Sequence, residues 1–266
     1  MLLSAGCDLC AGTGFEILSR AGREYAQACA CRAPMRQADP GSFLRACRIP
    51  ARYEECSFAN FEPFTPPLSA ALEKCLRFCN GYPYLGPTTE GLGLLFTGST
   101  GVGKTHLAVS VLRELVTRKG GRGQFWDFHS LIREIRNCYN PETRTTELQV
   151  LEPVVETDVL LLDDLGAWRM TDWMLDTLFY VLNNRYLAKR ATIVTTNLQD
   201  EPSETARKDD GLRRKEYLVE RIGQPLRSRL MEMCLVVDIN AEDYRQVRQT
   251  SNRENVLGSA IRGQTG

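Results

Sequence analysis

The sequence predicts an α/β protein: a parallel sheet with helices on both faces, preceded by a small cysteine-rich module. Three observations predict it. Short apolar runs alternate with segments of helical periodicity from residue 93 to residue 239, as in a sheet whose crossovers are helices. One run, Val159-Leu160-Leu161-Leu162, is apolar throughout and suits a central strand covered on both faces. A glycine-rich turn joins the first of these strands to the helix that follows.

The elements follow in order. Residues 68–79 space Leu68, Leu72, Leu76 and Cys79 as one helical stripe. Leu94-Leu95-Phe96-Thr97 is the first strand of the sheet, and residues 106–118 are a helix closed by Gly120-Gly121. Residues 124–128 read as the second strand and residues 131–139 as a helix. Val159 to Leu162 is the third strand, and residues 172–187 a long helix. Thr192-Ile193-Val194-Thr195 is the fourth strand and residues 235–239 the fifth. The expected organisation is a cysteine-rich module over 1–48, a linker and helix over 49–88, the α/β core over 89–250, and a disordered tail over 251–266.

The chain has 266 residues, 43% of them apolar and 25% charged, enough for one α/β domain and a small appendage. Its 33 basic residues balance its 33 acidic ones. No global charge draws it to nucleic acid, so any such contact needs a local patch. The first residues have neither a basic region nor an apolar stretch of signal-peptide type. No apolar run is long enough to span a bilayer. A cytoplasmic protein without membrane contact is expected, whose ten cysteines are thiols or metal ligands rather than disulfides.

Gly98-Ser99-Thr100-Gly101-Val102-Gly103-Lys104-Thr105 fits the P-loop pattern G-x-x-x-x-G-K-[ST]. Glycines let successive N–H groups turn inward around phosphates, and the helix that starts there adds its positive end. Lys104 is expected at the β- and γ-phosphates of ATP, and the Thr105 hydroxyl on Mg²⁺. Asp163 and Asp164 follow the apolar third strand, at the end where such sheets bind ligands. Asp163 is the expected Mg²⁺ holder, and Asp164 the base that polarises the lytic water. Asn197, after Thr195 and Thr196, is expected to turn its amide toward the γ-phosphate.

With these residues in place the chain resembles the AAA+ ATPases of the DnaC/DnaI/IstB-like helicase-loader family. The resemblance covers roughly residues 51–245. It rests on Gly-Val-Gly-Lys-Thr-His-Leu-Ala from Gly101 and Leu-Leu-Leu-Asp-Asp-Leu-Gly from Leu160. Thr-Thr-Asn from Thr195 and Leu-Arg-Ser-Arg-Leu from Leu226 complete it. It implies sheet order 5-1-4-3-2 and ATP-dependent self-association. It makes Arg229 the arginine finger aimed at a neighbour's γ-phosphate, with Arg227 the runner-up. It makes Arg245 a sensor of bound phosphate, and it places Phe58 and Asn60 in a linker folded over the adenine. His106 belongs to the signature and is counted with the cradle, although the motif gives its ring no ligand role. Two departures stand out. The acidic pair is Asp-Asp where most AAA+ enzymes have Asp-Glu, so slow hydrolysis is expected. Residues 240–266 are too few for a three-helix lid, as in the lidless members of the family.

Cys7-x₂-Cys10 and Cys29-x-Cys31 are two short pairs that can close a tetrahedral, structural Zn²⁺ shell. Cys47 and Cys56 are possible substitutes, and free or redox-active thiols are the alternative. Cys75, Cys79, Cys138 and Cys234 read as small buried residues. Arg133 and Arg136 share a helical face in the region that touches single-stranded DNA in the helicase-loader group. Arg207, Lys208, Arg213, Arg214, Lys215, Arg221, Arg227 and Arg229 make the stretch before the fifth strand locally basic, diluted by acidic neighbours. The expected function is an ATP-hydrolysing loader that assembles on single-stranded DNA and partners a replicative DNA helicase. The alternatives are a transposition helper that partners a transposase, and a nucleotide-dependent adaptor with little hydrolysis.

Overall fold

The computed structural model describes residues 15–20, 23–28, 44–82, 93–200, 217–241 and 243–244. Cys7, Cys10, Cys29, Cys31, Arg245, the basic run 207–215 and the tail 251–266 lie outside the described residues. Between the two cysteine pairs, strands β1 (Phe15–Arg20) and β2 (Arg23–Ala28) form an antiparallel hairpin with Phe15 opposite Ala28.

The main sheet contains β3 (Gly93–Gly98), β4 (Gly123–Asp127), β5 (Val159–Asp163), β6 (Ala191–Thr195) and β7 (Cys234–Ile239), all paired in parallel. Its order is β4-β5-β6-β3-β7. Counted along the chain, these five strands stand in the order 5-1-4-3-2 that the resemblance implied. Alternate strand residues serve opposite cores, because successive side chains in a strand point to opposite faces. Leu94, Phe96, Val159, Leu161 and Ile193 pack under α1 (Pro66–Gly81) and α2 (Lys104–Lys119). Leu95, Leu160, Leu162 and Val194 pack on the other face. They meet α3 (Phe128–Asn137), α4 (Glu147–Glu156), α5 (Asp172–Leu187), α6 (Leu218–Ile222) and α7 (Gln224–Met233).

The structure differs from the sequence reading at several elements. Phe128 opens α3 instead of closing β4, because the Asp127 side chain caps that helix and accepts the Ser130 N–H at 2.8 Å. Helix α4 was not expected. A capping box between Thr146 and Gln149 opens it, and it runs on with Pro153 inside. Helices α6 and α7, and the β1–β2 hairpin, were not expected either. Cys47, offered as a substitute zinc ligand, is a core residue. It is 1% exposed, its carbonyl accepts the Phe125 N–H at 2.7 Å, and burial pushes its thiol up to about 11. No helix among the described residues is long and apolar enough to cross a membrane.

Candidate functional site

The carboxyl ends of β3, β5 and β6 meet the start of α2, as ligand sites of parallel sheets do. The loop between β3 and α2 is held open by backbone geometry only glycine adopts freely. Gly101 and Gly103 have φ of 83° and 97°, and a Cβ on Gly101 would lie 1.9 Å from an Asp243 carboxylate oxygen. Above this loop lies a cavity of about 680 Å³, within the range of small-ligand sites. Gly101, Gly103, Lys104, Thr105, Asp163, Asp164, Thr195 and Asn197 line it.

Lys104 is 6% exposed. Its ammonium donates to the carbonyls of Gly98 and Ser99 at 2.9 and 2.6 Å and to Asn197 Oδ1 at 2.7 Å. Asn197 in turn donates from Nδ2 to Asp164 Oδ1 at 2.6 Å. One hydrogen-bonded chain therefore runs from the P-loop cation through the amide to the second aspartate. Beside it, the Thr105 hydroxyl donates to Asp163 Oδ1 at 2.9 Å, and the Thr195 hydroxyl to the same oxygen at 2.6 Å. The two oxygens expected on Mg²⁺ are thus already together. An oxygen-only donor set of this kind fits that hard cation.

Burial pushes the Asp163 carboxyl above the ordinary carboxylate range, against the pull of hydrogen bonds from Thr195 and Thr105. Burial also raises Asp164. The neighbouring Asp127 charge adds to that shift, and Lys104 opposes it. Asp164 has φ of 58°, a left-handed conformation that aspartate tolerates better than most residues. Its N–H donates to Thr195 Oγ1 at 2.9 Å, and the next N–H, of Leu165, to the Thr195 carbonyl at 2.8 Å. Thr195 therefore fixes both aspartates. Sequence reading quoted Thr195 only as part of a signature, although its neighbour Asn197 was singled out.

The linker lies differently from the reading of Phe58 and Asn60. Phe58 packs against the core and is not among the cavity-lining residues. Asn60 Oδ1 accepts from the Ser57 N–H at 2.9 Å and faces His106 Nε2 at 3.1 Å. The ring of His106 also meets the Ser57 carbonyl at 3.0 Å and the edge of Phe61, so it fastens the linker to α2. The cavity wall beyond the P-loop is built from Pro50, Arg52, Tyr53, Cys56 and Phe125. None of these was singled out from the sequence as a wall residue, and they carry no motif. Tyr244 closes the other side. Its N–H donates to the Gly101 carbonyl at 3.2 Å and its ring stacks on Phe64.

Arg229 sits on α7 and does not line the cavity of its own chain. Its guanidinium lies 4.9 Å from the ring of Phe179 and 5.3 Å from that of Tyr186, with Nη1 buried and unpartnered. Arg227 is committed elsewhere, in a two-point ion pair with Asp200 at 2.7 and 2.6 Å.

Comparison with known proteins follows the same outline. Residues 88–252 match the family model of IstB-like ATP-binding proteins. The crystal structure of the DnaC helicase loader is similar at a TM-score of 0.59 and 32% identity, over 71% of this chain and 99% of that one. The replicative helicase loader DnaI of Bacillus subtilis is 26% identical over 157 residues, 59% of this chain and 48% of DnaI. A putative ATP-binding protein of insertion sequence IS5376 from Geobacillus stearothermophilus is 32% identical over 104 residues, 39% of either chain. The chain spans about half the length, or less, of these two curated relatives.

Proposed function

The chain belongs to the IstB-like ATP-binding family, and from that premise we propose that it is an ATPase that loads a replicative helicase onto single-stranded DNA. The observation that carries the hydrolytic part is the hydrogen-bonded chain from Lys104 through Asn197 to Asp164. It couples the cation that meets the γ-phosphate to the carboxylate that faces the lytic water. ATP entering the cavity draws the Lys104 ammonium from the loop carbonyls to the β- and γ-phosphate oxygens. Asn197 then keeps its grip on Asp164, whose carboxylate accepts a hydrogen bond from water and aligns it. Water attacks the γ-phosphorus and gives a proton to the Asp164 carboxylate, the bond to the β–γ bridging oxygen breaks, and ADP leaves with that oxygen, the γ-phosphoryl group becoming inorganic phosphate. Thr105 and Asp163 would hold Mg²⁺, which would supply screening of the phosphate charge. Arg229 of a neighbouring copy supplies a guanidinium to the equatorial oxygens, which makes turnover depend on self-association.

Rings and arginines on and next to α3 and α5 support a role for single-stranded DNA. Trp168 is 62% exposed and stacks on His129, with ring centroids 5.3 Å apart. The Arg136 guanidinium lies 5.4 Å from the ring of Trp173, and Tyr139 meets the same ring edge-on. Rings beside arginines suit unpaired bases and their backbone. The likeness to the helicase loaders supports a helicase as partner. In sequence the first cysteine pair precedes the β1–β2 hairpin and the second follows it, and Cys7, Cys10, Cys29 and Cys31 would hold a structural Zn²⁺. Elemental analysis should then find about one zinc per chain, and a metal-free protein with an intact amino-terminal fold removes the module. A second reading, a transposition helper, is favoured by the likeness to the insertion-sequence ATP-binding protein.

The test is ATP turnover with and without single-stranded DNA, followed by identification of proteins that co-purify with the chain. Stimulated turnover and recovery of a hexameric helicase are expected. Recovery of a transposase decides for the second reading, and nucleotide binding without turnover decides for an adaptor. In the same assay Arg229→Ala should bind ATP as the parent does and lose the stimulated turnover, by roughly 100-fold or more. Parental turnover in that variant removes the finger assignment.

A further inference from the structure

We infer that Asp127 stands one water away from the magnesium that Thr105 and Asp163 would hold, and makes nucleotide binding conditional on the metal. The inference rests on the nucleotide reading above and adds a residue that belongs to no P-loop or acidic-pair motif. Asp127 ends β4 and pairs in register with Asp163 at the end of β5, on strands that run ~5 Å apart. Residues paired this way in a parallel sheet present side chains on the same face. Both residues line the one cavity. The Asp127 carboxylate is held at that tip because Oδ1 accepts the Ser130 N–H at 2.8 Å and caps α3. Its charge reaches both Asp163 and Asp164.

Three carboxylates, Asp127, Asp163 and Asp164, share the lining of this cavity with two cations, Lys104 and Arg52. A triphosphate without metal brings further negative charge into this group and is repelled. With Mg²⁺ the sign of the interaction reverses. Mg²⁺ keeps several of its waters when it binds phosphates, and a carboxylate one water away accepts hydrogen bonds from them. Asp127 therefore penalises bare ATP and favours the metal complex, and the ratio of the two affinities is its signature.

The experiment is titration calorimetry of ATP into the full chain, in excess Mg²⁺ and in excess EDTA, for the parent and for Asp127→Asn. Asparagine keeps an oxygen that can cap α3 and removes only the charge. The Mg²⁺-to-EDTA affinity ratio should fall by about tenfold, the size expected for one partly screened charge at this range. The change should combine tighter binding of bare ATP with weaker binding of the complex. Thermal melting without ligand should be unchanged for Asp127→Asn, while Asp127→Ala, which loses the cap, melts lower. An unchanged ratio in a folded Asp127→Asn overturns the inference and leaves the nucleotide reading intact. A parent that binds ATP under neither condition overturns both.

Discussion

Lys104→Ala is expected to abolish the stabilisation that ATP gives the protein while leaving the ligand-free fold intact. In the parent, Mg-ATP at 100 times its dissociation constant should add about 2.7 kcal/mol. For a domain of this size that raises the melting temperature by roughly 5–10 °C. The ammonium supplies three charge-assisted hydrogen bonds in the ligand-free state, two to loop carbonyls and one to Asn197. Phosphate oxygens compete for those same protons. Without the ammonium the triphosphate meets Asp163 and Asp164 with no buried cation to offset them. Because Lys104 lines the cavity, water can take over the carbonyls it leaves, so the ligand-free melting point should hardly move. Turnover should fall by at least about 100-fold, the scale of losing one preorganised electrostatic partner. An ATP-induced shift equal to the parent's would remove Lys104 from the site and break the chain of contacts to Asp164.

What could be read from the sequence at this site was the part written in consecutive residues. The P-loop, the aspartate pair and Thr195 to Asn197 are each a short string at a strand end, and strand ends in such sheets converge. The remainder depends on which strands lie side by side. Asp127 stands 36 positions before Asp163 and meets it only because β4 is the edge strand next to β5. Tyr53 and Phe125 share a cavity wall through the same long-range packing, 6.2 Å between ring centres. His106 was assigned no partner because its partners, Ser57 and Asn60, sit in a linker with no periodicity.

The same division holds for the fold. The strands β3, β5 and β6 are buried along their whole length and mostly apolar and were legible, as was α5. Helix α4 was hidden by its own Pro153 and by a mixed apolar pattern, Glu147-Leu148-Gln149-Val150-Leu151. Its capping box was the available signal. Helices α6 and α7 are short and rich in charge. Their register is set by burying Leu218, Ile222, Leu226 and Leu230 in the core, not by local propensity, which is a weak guide over so few residues.

Arg185→Met should destabilise the fold strongly without touching ATP affinity. Arg185 sits on α5, an apolar-faced helix, and is fully buried with no carboxylate among its hydrogen-bond partners. Burial, with Arg190 nearby, pulls its pKa down to about 9, yet at neutral pH it remains a cation. Its guanidinium donates to the carbonyls of Val154, Val155 and Thr157 at 3.1, 3.1 and 2.8 Å. It also donates to the Ala191 carbonyl at 2.5 Å and to Thr192 Oγ1 at 2.9 Å. These acceptors belong to the end of α4, the turn into β5 and the start of β6, so one side chain ties three elements. Methionine fills much of the volume but donates nothing. Arg190 still serves the Val155 carbonyl at 2.7 Å, whereas Val154, Thr157 and Ala191 each lose a partner in a dry environment. A loss of about 3–5 kcal/mol is expected, the range for breaking a buried charged network, and a melting point lower by roughly 10 °C. Arg185→Lys should fall between, because it keeps the charge and loses the planar fork. Thr195, Asp163 and Asn197 lie at the opposite ends of β5 and β6, so the folded fraction of the variant should bind Mg-ATP as the parent does. A melting point within about 1 °C of the parent's would mean that the cost of burying the cation cancels its five hydrogen bonds, and that the crossing of α4, β5 and β6 is held by apolar packing alone.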